Sequence, residues 1–153
     1  MKLKNYTPYL PYVVFIVALL SAIFSLFFSE ILKFTPCVLC WYQRIFMYPM
    51  VFISAISIMR KQKDLHYYIL PLSIIGFLIG FYQNLLIWKI IPETIAPCTA
   101  GVSCVQQPIV LLGFITIPLG SMLAFALISI SMLLYGKLTK EPSTKVNHKV
   151  VKK

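Results

Sequence analysis

The chain has 153 residues, 59% of them hydrophobic and 12% charged, with a formal net charge of +10. Soluble domains carry about 25% charged residues, so this chain has too little polar surface for a water-soluble globule and too much apolar surface to stay disordered. Nucleic-acid binding is excluded by charge placement, since six of the fourteen basic residues fall in the last seventeen positions.

A membrane-spanning helix needs about 20 apolar residues, and the sequence supplies four such stretches. The expected fold is therefore an all-α membrane protein, a four-transmembrane-helix bundle with both termini cytoplasmic. The first helix runs about 9–28. Lys2 and Lys4 precede it, and Ala18, Ser21 and Ala22 lie within it, as in a signal peptide. Its apolar run continues to Phe28, longer than a signal peptide's core, so an uncleaved span is expected.

The second helix is expected at about 41–59. Only fifteen residues separate Arg44 from Arg60, about 22 Å of helix, which is too short to span. The helix must start near Cys40 or Trp41, and Arg44 then sits inside it, about one turn below the surface. A cation there either snorkels to the headgroups or serves a function. The third helix, at about 67–88, carries no charge, and Gly76 and Gly80 have the spacing that lets a neighbouring helix approach closely. The fourth is expected at about 109–135. Pro49, Pro71 and Pro118 fall inside these helices and are expected to kink them. Residues 1–136 make one domain, and 137–153 a basic tail expected to be disordered.

Orientation follows from lysine and arginine placement. The N-terminus, the middle loop and the tail hold eleven of them, and the opposite side holds Lys33, Arg44 and Lys89. The termini are thus expected in the cytoplasm, with the loops at about 29–40 and 89–108 outside.

All four cysteines fall in those two outer loops: Cys37 and Cys40 as a C-x-x-C, Cys98 and Cys104 as a C-x5-C. The outside is where disulfides persist. A thiolate is the reacting species in disulfide exchange, and a helix N-terminus or a cation favours it. Cys40 stands at the start of the second helix. Arg44 is four residues beyond Cys40 and seven beyond Cys37, on one helical face if the helix reaches that far. Its guanidinium can stabilise a Cys40 thiolate or polarise an acceptor bound beside it. Zinc fits four cysteines, but an oxidising outside favours disulfides over thiolate ligands, so no metal is expected. Two static disulfides on a membrane scaffold or binding protein are the alternative reading. A proton-coupled exporter needs a buried carboxylate, and Glu30, Asp64, Glu93 and Glu141 all fall in loops or the tail.

The run Cys37-Val38-Leu39-Cys40-Trp41-Tyr42-Gln43-Arg44 resembles the signature of the DsbB family of quinone-linked disulfide-forming membrane proteins. The four-span plan with a cysteine pair in each outer loop matches as well. Gly113-Phe114-Ile115-Thr116-Ile117-Pro118 and the short second pair resemble the Bacillus-type members. The resemblance covers about residues 8–136. It implies that Cys37, Cys40, Cys98 and Cys104 are catalytic and that a quinone, menaquinone or ubiquinone, is held near Arg44. It further implies a DsbA-like thioredoxin-fold thiol oxidase as partner, which attacks a Cys98–Cys104 disulfide. Electrons would then pass to Cys37–Cys40, with a transient Cys37–Cys104 bridge, and from Cys40 to the quinone. The enterobacterial relatives carry a histidine just past the third helix. Here the histidines are His66, on the cytoplasmic side, and His148, in the tail. Gln83, Asn84 and Trp88 are the side chains expected to stand in for it.

Overall fold

The computed structural model describes residues 7–33, 36–62, 64–92, 110–111 and 115–140. They form four helices: α1 Leu10–Glu30, α2 Val38–Arg60, α3 Leu65–Ile87 and α4 Ile117–Lys140. Two short strands, β1 Val110–Leu111 and β2 Ile115–Thr116, pair antiparallel just ahead of α4. α1 with its preceding turn, α3 and α4 are each long and apolar enough to cross a membrane. α2 has the length, 23 residues, and carries Gln43 and Arg44 in its first two turns.

The helices pack in a ring: α1 on α2, α2 on α3, α3 on α4, and α4 back on α1, with α3 and α4 sharing the most extensive interface. Neighbours run antiparallel. The start of α2 meets the end of α1 through Arg44 and Ser25, and the end of α3 through Gln43 and Gln83. At the far end, Tyr135 of α4 donates to the Gln62 carbonyl just past α2.

The ring's centre is filled by Val14, Ala18, Met47, Met50, Leu65, Ile69, Phe125, Ile128, Met132 and Tyr135. The α3–α4 contact depends on small residues. A Cβ on Gly76 would run into the buried Phe125 ring, and one on Gly80 would lie 3.3 Å from the Met122 backbone. The paired glycines therefore bring the two backbones close, as their spacing predicts. Ser129 then reaches across to Ser73 at 3.0 Å.

Both ends of α4 differ from the sequence expectation. α4 starts at Ile117 rather than near 109, because residues 110–111 and 115–116 pair as strands. Pro118 is consequently the second residue of α4 and does not kink it; its missing N–H costs nothing in a first turn. α4 also runs through Gly136 to Lys140, so residues 137–140 of the expected tail are helical. Gly136 does not stop the helix because its small size is used for packing: a Cβ there would sit 2.9 Å from the His66 ring. Pro49 and Pro71 lie inside α2 and α3 as expected.

Candidate functional site

Pro36 leads into Cys37, which takes the N-cap position of α2 with φ −70° and ψ 167°. An N-cap side chain accepts from an N–H in the first turn, a role usually filled by oxygen. Here Cys37 Sγ accepts from the Cys40 N–H at 3.3 Å. That bond folds one cysteine back over the other, and their sulfurs share a hydrogen bond at 2.7 Å. The two-residue spacer is thus what cap-to-third-residue geometry requires. α2 starts three residues earlier than expected for this reason, and the pair sits at its positive end. Cys37 is 1% exposed and Cys40 partly exposed. The hydrogen bond shared with Cys40, and then burial, push the Cys37 thiol far above its ordinary range.

One turn on, Arg44 turns toward α1. Its Nε donates to Ser25 Oγ at 2.8 Å, and its Nη2 donates to the Ser25 carbonyl at 2.8 Å and to Ser29 Oγ at 2.9 Å. Its guanidinium also lies 5.6 Å from the Trp41 ring centroid. These are neutral partners, and no carboxylate among the described residues pairs with it. The cation is hydrogen-bonded, no described residue cancels its charge, and Nη1 makes no hydrogen bond to a described residue.

On the other side of the sulfurs lies α3. Gln83, 0% exposed, donates from Nε2 to Cys37 Sγ at 3.3 Å and to Cys40 Sγ at 3.4 Å. Its Oε1 accepts from Gln43 Nε2 at 2.8 Å. Gln43 Oε1 in turn accepts from the Ser121 hydroxyl of α4.

A cavity of about 340 Å³ opens between α1, α2 and the start of α4. Cys40 and Arg44 both line it, with Gln43, Ser121, Phe28 and Met47. The volume falls within the range of about 300–1,000 Å³ typical of small-molecule sites. The wall is mostly apolar, and Cys40, Arg44 and a few hydroxyl and amide groups supply its polar points.

The structure therefore brings together Cys37, Cys40 and Arg44, and places the last two on one cavity. Cys98 and Cys104 lie outside the described residues. Gln83, Asn84 and Trp88 do not line the cavity. Gln83 stands behind the sulfurs, Asn84 is buried and bonded to the Gly80 carbonyl, and Trp88 is 55% exposed. The polar groups at the cavity come instead from Gln43, Ser121 and the Ser21–Ser25–Ser29 stripe of α1. That stripe has a visible signal, three serines four residues apart in an otherwise apolar span.

The model of the family "Disulfide bond formation protein DsbB" matches residues 8–135. The chain belongs to the DsbB family. It is similar to disulfide bond formation protein C of Bacillus subtilis, 47% identical over 112 residues, covering 72% of this chain and 80% of the relative. The SPbeta prophage-derived disulfide bond formation protein B of the same organism is 45% identical over 105 residues, covering 68% and 70%. A probable disulfide formation protein of Metapseudomonas resinovorans is 38% identical over 121 residues, covering 78% and 84%. No solved structure matches the chain. As a DsbB-family protein the chain is a disulfide-forming oxidoreductase built on membrane helices, and the resemblance read from its Cys37–Arg44 segment holds.

Proposed function

We propose that this DsbB-family chain is a quinone-dependent thiol oxidase that reoxidises an extracytoplasmic thioredoxin-fold thiol oxidase, a DsbA-like protein, and so generates disulfides for secreted proteins. The observation that carries the reading is the shared cavity: Cys40 and Arg44 line one mostly apolar chamber at the end of the helix ring where α2 begins. Thiol exchange alone only moves disulfides between partners. Net oxidation needs an electron sink, and the chamber has the size and chemistry for a lipid-soluble quinone ring.

In this reading all four helices span the cell membrane, with both termini cytoplasmic and both cysteine loops outside. The partner's thiolate attacks Cys98 of a Cys98–Cys104 disulfide, and Cys104 leaves. A second partner thiol closes the partner's own disulfide and leaves Cys98 and Cys104 reduced. That pair reduces Cys37–Cys40 through a Cys37–Cys104 bridge, which releases Cys40 as thiolate. When bound, the quinone supplies the sink, taking two electrons and two protons and leaving as quinol. Cys37 gives up one of these protons as the Cys37–Cys40 disulfide re-forms, and the second comes from water at the outer surface. Arg44, whose charge no described residue cancels, would hold a bound quinone by donating to it and would stabilise negative charge there, and the apolar wall excludes water.

The test mixes the purified protein in detergent with a quinone and a reduced thioredoxin-fold oxidase and follows quinone absorbance. Quinone should disappear in equal amount with the partner's disulfide formed, and Cys37→Ser or Cys98→Ser should each abolish the reaction. Full turnover in either variant would remove the scheme.

A further inference from the structure

The sulfur pair is the end of a hydrogen-bonded chain that crosses three helices. Ser121 of α4 donates to Gln43 of α2, Gln43 donates to Gln83 of α3, and Gln83 donates to both sulfurs. Gln83 is 0% and Gln43 7% exposed, so the chain's own members must satisfy these amides. Every donor points toward the sulfurs, and bonds aligned in this way polarise one another.

The opposite polarity is also open to these groups. With both amides turned over, Gln83 Oε1 would face the sulfurs and Gln43 Nε2 would donate to Ser121 Oγ. The Ser121 hydroxyl would keep the Pro118 carbonyl, 2.9 Å away, as its acceptor. Sulfur charge decides between the two. A thiolate is a strong acceptor, because charge-assisted hydrogen bonds are about twice as strong as neutral ones. A disulfide sulfur is a weak acceptor. Donation from Gln83 therefore stabilises the reduced pair far more than the oxidised one.

We propose that Gln83, polarised through Gln43 and Ser121, sets the redox poise of the Cys37–Cys40 couple by hydrogen-bonding its reduced form. The inference rests on the reading of that pair as the redox couple. In the half-reaction, the disulfide takes two electrons and one proton and becomes a Cys37 thiol and a Cys40 thiolate. Donation to that thiolate raises the couple's reduction potential, making the disulfide the stronger oxidant of an incoming dithiol. Gln83 touches the reacting sulfurs; Gln43 and Ser121 act through it and are positioning residues.

The full-length protein in detergent is equilibrated with glutathione buffers of graded ratio, and free thiols are trapped with a mass tag. Peptides resolve Cys37–Cys40 from the second pair. Each reduction consumes two glutathione thiols and releases one glutathione disulfide. Gln83→Met keeps the bulk of the side chain and removes its donor. It should lower the equilibrium constant for reduction about tenfold, which is about 30 mV for a two-electron couple. It should also move the pH profile of Cys40 alkylation to higher pH, which a packing role alone would not do. Ser121→Ala should shift the equilibrium constant in the same direction by about twofold. A wild-type constant and profile in Gln83→Met would overturn the inference. If that variant does not fold, an unshifted constant in Ser121→Ala overturns it instead. A wild-type pair that does not titrate across the buffers brings down the redox-couple reading and this inference with it. A pair that titrates but ignores both variants brings down the inference alone.

Discussion

Arg44 is held by α1 through hydrogen bonds rather than by an opposite charge. Three bonds from Nε and Nη2 reach Ser25 and Ser29, in a fork that only a guanidinium can make. A lysine would keep the charge and lose the fork. Hydrogen bonds to charged groups are worth about 1.5–3 kcal/mol each, so loss of one to a bound quinone corresponds to roughly tenfold or more in affinity. Arg44→Ala should raise the quinone KM by about that factor while the helical circular dichroism stays unchanged, and Arg44→Lys should fall between the two. A quinone titration with an unmoved KM in Arg44→Ala would leave the residue as a tie between α1 and α2. At this scale the sequence was readable where chemistry and helix spacing coincide: Cys37 and Cys40 meet, and Cys40 and Arg44 line one cavity. For Ser25 and Ser29 the spacing was visible but its meaning was ambiguous, as it was for Ser121. A serine in an apolar helix can equally bond its own helix, as Ser54 does to the Met50 carbonyl at 2.6 Å. Gln83 was seen as a polar residue at the outer end of the third helix, but its direction, toward the sulfurs and away from the cavity, depends on the rotation of α3.

Helix existence was legible from apolar length, whereas helix ends depended on details that composition hides. α2 closes with Gln62 N–H on the Ser57 carbonyl at 3.1 Å and Lys61 N–H on the Ile58 carbonyl at 3.3 Å. α3 closes the same way, with Ile90 N–H on the Leu85 carbonyl and Lys89 N–H on the Leu86 carbonyl. Both endings need a left-handed residue, usually glycine. Here lysines fill them, at φ 50° for Lys61 and 56° for Lys89, so no glycine marked the stop. The lysines place positive charge at the negative ends of their helices, which offsets part of the backbone strain. Glycine appears where helices touch. Gly76 faces the Phe125 ring, which is fully buried and borders the cavity. Overpacking a filled core costs about 1–3 kcal/mol, so Gly76→Ala should lower the unfolding midpoint in mixed micelles by that equivalent. Adding Phe125→Leu should recover most of the loss. If Gly76→Ala alone is neutral, the close α3–α4 contact is not what holds this face together.

Across the molecule, polarity is turned inside out. Gln43, Ser54, Ser73, Gln83, Asn84 and Ser131 are buried, while Ile16, Leu20, Ile23, Phe24, Phe52, Leu78, Leu127 and Ile130 are exposed. In water such a surface would aggregate; in lipid the exposed groups meet their own kind, and buried polar groups bond across helices. Exposed tyrosines and tryptophans gather at both ends of the ring. Tyr9, Tyr12, Tyr67 and Tyr68 mark the starts of α1 and α3, and Trp41, Tyr42 and Trp88 mark the start of α2 and the end of α3. From Tyr67 to Trp88 the helix covers about 32 Å at 1.5 Å per residue, one hydrocarbon thickness between two aromatic belts. The belts place α2 at the same depth as its neighbours, with Arg44 one turn inside, and this argues that it too spans despite its polar first turns. In the proposed four-span topology both termini share one side, where eleven of the fourteen lysines and arginines lie, and that bias would make the side cytoplasmic. A fluorescent reporter that matures only in the cytoplasm, fused after Lys153, should be bright, and an exported phosphatase fused at the same point should be inactive. The same pair of reporters fused after Trp88 should give the reverse. A dark C-terminal fusion with an active phosphatase would require three spans or an inverted ring. In the inverted ring the Cys40–Arg44 end would face the cytoplasm, where glutathione keeps thiols reduced.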